Sequence, residues 1–73
     1  MRITFDPDAN AVYIYLKDQI PPGGVSRSEF CDVELSGGPV FLQFDSTGRL
    51  IGIEILGARE LLPAEVLDEA QRP

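Results

Sequence analysis

Residues 40–56 constrain the fold most, because two runs of period two flank a turn signal there. In the first run Val40, Leu42 and Phe44 alternate with Phe41, Gln43 and Asp45. In the second, Leu50, Gly52, Glu54 and Leu56 alternate with Ile51, Ile53 and Ile55. A pleated strand sends successive side chains to opposite faces, so both runs predict strands. Between them, Asp45-Ser46-Thr47-Gly48 offers an Asp or Ser oxygen to cap a type I turn. Gly48 suits the left-handed position of a bulged three-residue loop, so the segment predicts a β-hairpin.

The N-terminal third repeats this logic. Ile3 and Phe5 share one face of a short strand over 2–5, the stretch DPDAN is a turn signal, and AVYIYLK follows as a second strand. In that strand Val12, Ile14 and Leu16 oppose Ala11, Tyr13 and Tyr15, so both faces are apolar or aromatic and each needs a cover. Residues 18–24, DQIPPGG, cannot continue a strand, because prolines remove ladder donors and glycines weaken regular structure. Residues 25–35 predict a third strand, with Phe30 and Cys31 disturbing the alternation as a bulge would. Pro63 suits the first position of a helix in which Leu62, Val66 and Leu67 face the sheet while Glu65, Asp68 and Glu69 stay in water.

The expected fold is α+β, one domain over residues 1–73: an antiparallel β-meander of four to five strands with one C-terminal helix packed on a face. A chain of 73 residues buries only about 60% of its unfolded surface, so a homodimer is expected to supplement the core. The helix would cover one face of the second strand and another copy the other.

Six basic and twelve acidic residues give a net charge of −6, and the basic ones are scattered singly. Direct nucleic-acid binding needs a positive stripe and is disfavoured. A single cysteine, no signal-like start and no apolar run of membrane-spanning length predict a cytoplasmic protein with no membrane partner.

The chemistry a chain without histidine can support is restricted. Ser-His-Asp and Cys-His arrangements and His-based zinc sites are excluded. Cys31 lacks a base to activate it and reads as a packed core thiol. Asp6, Asp8 and Asn10 have the spacing of the start of a calcium loop, but Ala11 stands where the loop needs glycine and Lys17 where it needs a bidentate carboxylate. The stretch reads as a turn in which Asp6 or Asp8 accepts backbone N–H bonds and Asn10 takes positive φ. No catalytic, cofactor or metal residue is assigned. Glu54 could be a general base in a dry pocket, a cross-strand ion pair with Lys17 or Arg27, or a solvated position. Gly52, two residues earlier, leaves room for Tyr13 or Tyr15 to lie across the strand. Tyr13 and Tyr15 suit an interface, where a tyrosine buries area and keeps a polar tip, or a core.

The stretches TFDPDANAVYIYL and FDSTGRLIGIEILGARELL, in this order, resemble the YuzE-like family of small prokaryotic proteins of unknown function. The resemblance covers nearly the whole chain and departs from the family pattern over residues 20–39 and at the GARELL ending. It implies an antitoxin-type role, since some relatives look like neighbours of small toxin-like proteins. The leading expectation is a protein-interaction module, the neutralising partner of a small basic toxin being one form of it, with Asp32, Glu34, Glu65, Asp68 and Glu69 steering the partner. The alternatives are a small-ligand binder with a pocket between sheet and helix, and an enzyme relying on Glu54.

Overall fold

A computed structural model of the chain describes residues 1–32 and 38–72. Five strands, β1 (Arg2–Asp6), β2 (Ala11–Tyr15), β3 (Arg27–Cys31), β4 (Val40–Phe44) and β5 (Leu50–Leu56), precede two short helices, α1 (Ala58–Leu61) and α2 (Ala64–Glu69). The strands form one antiparallel sheet in the order β1-β2-β5-β4-β3. The α+β class is the one the sequence predicts.

The strand order differs from a continuous meander, because β2 lies beside β5 and not beside β3. Burial explains the exchange. Ile51 and Ile55 of β5 are buried, which suits the centre of a sheet, whereas all five residues of β3, Arg-Ser-Glu-Phe-Cys, are exposed, which suits an edge. The sheet is thus a hairpin, β1–β2, joined to a three-strand meander, β3–β4–β5.

The core is a row running across four strands. Phe5 lies opposite Val12, Val12 opposite Ile55, and Ile55 opposite Val40. Leu61, Leu62, Leu67 and Ala70 of the helical segment pack on this row, around Phe5, Val12, Ile55 and the fully buried Ala58. Both helices therefore cover the same face. The expected helix after Pro63 is α2, and α1 precedes it as a second one; the two are separate because Leu62 and Pro63 are extended, with ψ 148° and 145°, and a residue before proline is driven out of the helical region. Pro63 is the cap of α2 and not its first helical residue.

The turns follow their sequence signals. Asp45 Oδ1 accepts from the N–H groups of Thr47 (2.9 Å) and Arg49 (3.1 Å) and from the Thr47 hydroxyl (2.6 Å), and Gly48 has φ 85°. Those bonds to the ionised form hold the Asp45 carboxyl below its usual range. Asp6 Oδ1 accepts from the N–H groups of Asp8 and Ala9, and Asn10 has φ 52°. Two expectations for the third strand are corrected. The register shift lies between Gln43 and Phe44 against β5, while Phe30 and Cys31 pair regularly with Phe41 and Val40. Cys31 is exposed and not packed, because β3 is at the edge, beyond the reach of the helices. Glu34 and the rest of 33–35 lie outside the described residues.

The two sheet edges are treated differently. The outer edge of β1 is closed by Gln71, whose N–H donates to Ile3 O (2.9 Å) and whose carbonyl accepts from Phe5 N–H (2.7 Å). The outer edge of β3 has no strand beside it among the described residues.

Candidate functional site: the uncovered sheet face

Alternation along each strand puts a second set of side chains on the face turned away from both helices. The register aligns them in two rows. One row reads Thr4, Tyr13, Glu54, Phe41, Phe30 from β1 to β3. The other reads Arg2, Tyr15, Gly52, Gln43, Ser28. No described element lies over them, and Phe30 is 62% exposed.

Contacts within this face fix its aromatic members. Tyr13 crosses the strand over Gly52 and donates its hydroxyl to Gln43 Oε1. A Cβ at position 52 would overlap that phenol, so the glycine serves the close approach that the sequence suggests. The Tyr13 and Tyr15 rings meet edge to face with centroids 4.5 Å apart, and the Arg2 guanidinium lies 3.8 Å from the centre of the Tyr15 ring. Phe30 and Phe41 pack at 5.7 Å. Between Tyr13 and Phe41 stands Glu54, half-buried. A shallow hollow of ≈ 250 Å³ opens here, bounded by Thr4, Asp6, Tyr13, Tyr15 and Glu54.

Burial raises the Tyr13 phenol above its ordinary value of 10.0, and the negative charges that Tyr15 and Glu54 can carry raise it further. The neutral phenol is therefore favoured by folding. Its stabilising contribution is complete below the unfolded value near 10.0 and is lost as pH rises from there through the raised folded value. Urea titrations at neutral and strongly alkaline pH are expected to lose stability less steeply in Tyr13→Phe than in the parent chain.

The structure unites some predicted residues and separates others. Tyr13, Tyr15 and Glu54 share the uncovered face. Glu65, Asp68 and Glu69 are exposed on α2, whose Leu67 packs against the opposite face, and Asp32 is exposed just beyond β3. Steering acids and aromatic contacts thus do not form one patch. The proposed ion pair between Glu54 and Arg27 is not formed: Arg27 lies on β3, 3.9 Å from Glu29 and over the Phe44 ring. Sequence reasoning missed Arg2 and Gln43, although the hairpin register that places Arg2 opposite Tyr15 was available from the turn. Between β1 and α2 a larger cleft of ≈ 530 Å³ is lined by Met1, Arg2, Ile3, Val66 and Glu69, among others. Among the described residues no group of three His, Cys, Asp or Glu side chains is placed to hold a metal ion, and no helix is long and apolar enough to cross a membrane.

Residues 2–59 match the model of a family described as a protein of unknown function, DUF2283. The chain belongs to that family. The DUF2283 match spans all five strands and both rows of the uncovered face, and it ends before α2. Comparison with curated proteins and with solved structures gave no match.

Proposed function

We propose that this chain is a non-catalytic binding module whose uncovered sheet face receives a polypeptide partner bearing basic side chains. One observation carries the reading: Glu54 stands between Tyr13 and Phe41 in the middle of a five-strand face that neither helix covers. A carboxylate flanked by aromatic rings suits a cation, which gains from the charge and from the negative faces of the rings. Arg2 over Tyr15 is an example of that contact within the chain itself. The net charge of −6 adds long-range attraction for a basic partner. A small basic toxin, the partner implied by the YuzE-like resemblance, is one protein of this kind, and the reading places its contact on the sheet and not on α2.

Catalysis is disfavoured by the company Glu54 keeps, since the neighbouring Tyr13 hydroxyl is committed to Gln43. On the uncovered face a small-ligand role is disfavoured by size, since ≈ 250 Å³ falls below the roughly 300–1,000 Å³ of ordinary ligand pockets, whereas the ≈ 530 Å³ cleft between β1 and α2 falls within that range. The test is capture of host proteins by the tagged chain and by two charge reversals. Glu54→Lys is expected to lose the retained basic protein, whereas Glu69→Lys on the helical side keeps it. Equal loss in both, or a retained protein that is not basic, refutes the assignment of the face.

A further inference from the structure

We propose that the outer edge of β3 pairs with the same strand of a second copy, antiparallel, about a two-fold axis through Ser28. The two sheets then continue as one ten-strand sheet.

Three observations lead there. The first is the contrast between edges: β1 is closed by Gln71, while β3 has every residue exposed, including Phe30 at 62%, and no neighbour among the described residues. Natural sheets cover or blunt their edges, and an open one is a template for another strand. The second is area. The chain exposes 4867 Å², about 400 Å² more than a folded monomer of 8.0 kDa is expected to expose.

The third observation, charge complementarity, selects both the occupant and the register. Full overlap of two β3 strands would put Glu29 opposite Glu29 of the other copy, and like charges directly opposite are destabilising. Sliding the pair by two residues, so that Ser28 faces itself, puts Arg27 opposite the partner's Glu29 and Glu29 opposite the partner's Arg27. One repulsion becomes two attractions. The opposite slide, with Phe30 facing itself, sets Glu29 against Cys31 and Ser28 against Asp32, with no charge matched. A strand of unrelated sequence has no reason to carry this arrangement, whereas a second copy has it by symmetry. Because the axis is perpendicular to the sheet, both helical layers stay on one side and the two aromatic faces adjoin on the other. The inference does not depend on what those faces bind.

The experiment uses the full chain and two readouts. In a Cys31→Ser background, Ser28→Cys is expected to form a disulfide-linked dimer under mild oxidation. Residues facing each other across the axis lie about 4.5–5.5 Å apart, within the span of a disulfide. By light scattering over the micromolar range the parent chain is expected to have a concentration-dependent mass rising toward two chains. Glu29→Arg weakens the association roughly tenfold or more, and the swap Arg27→Glu with Glu29→Arg restores it. A parent chain that stays monomeric throughout overturns the proposal. So does a dimer indifferent to Glu29→Arg, or one that crosslinks through Phe30→Cys and not through Ser28→Cys. Circular dichroism of each variant confirms that the sheet is formed. Loss of basic-partner capture with dimerisation intact refutes the binding reading alone.

Discussion

Replacing Asn10 by alanine is expected to lower the unfolding free energy by about 2–3 kcal/mol, a large share of the roughly 4–11 kcal/mol typical for a chain of this length. Asn10 acts in two ways. It ends the β1–β2 turn at φ 52°, a conformation that costs most side chains about 1–2 kcal/mol and asparagine less. It also caps α1, which starts 48 residues later and whose own cap residue, Gly57, has no side chain to offer. The Asn10 carbonyl accepts from Ala58 N–H (2.9 Å), Oδ1 accepts from Arg59 N–H (2.9 Å), and Nδ2 donates to Glu60 Oε1 (2.8 Å). Asn10→Gly separates the two contributions, because glycine keeps the backbone conformation and loses only the side-chain bonds. Its expected cost is about 1 kcal/mol. Urea midpoints that are equal for the two variants would contradict the backbone part of this account.

Gly52→Ala is expected to cost about 1–3 kcal/mol, although alanine ordinarily improves on glycine within a strand. The new methyl would occupy the space of the Tyr13 phenol, which must then leave Gln43 and its edge contact with Tyr15. The cost should vanish when Tyr13 is also replaced by threonine, which keeps strand propensity and removes the ring. A double-mutant cycle measures the coupling, and a value near zero would mean that the ring does not lie where the structure puts it.

Local chemistry was legible in the sequence wherever it acts over a few residues. Asp45 and Gly48 specify their turn, Asp6 and Asn10 specify theirs, and Gly52 announced a large neighbour from its place in an alternating strand. What escaped depends on partners distant in the chain. The pairing of β2 with β5 follows from the relative burial of β5 and β3, which no turn signal encodes. Helix α1 is one turn long and owes its start to Asn10, so its own residues carry little sign of it. The candidate site was legible in part: Tyr13, Tyr15 and Glu54 share a face by alternation alone. That the acids of α2 lie on the other side could be known only once the helices had been placed against Phe5, Val12 and Ile55.

The strand order also sets the course of folding. The β1–β2 hairpin and the β3–β4–β5 meander each close over short loops, but neither buries Val12 or Ile55 alone, since those two residues face each other across the junction. Bringing Tyr13 to Glu54 closes a loop of some forty residues, whose entropic cost comes before the reward of the shared core. The rate-limiting event is therefore expected to be the docking of the two pieces along a single seam. Substitutions in either turn weaken the pieces before they dock and so are expected to slow the acquisition of the native state, while the cost at Val12 and Ile55 divides between that rate and the rate of leaving it, as far as the seam has closed at the barrier.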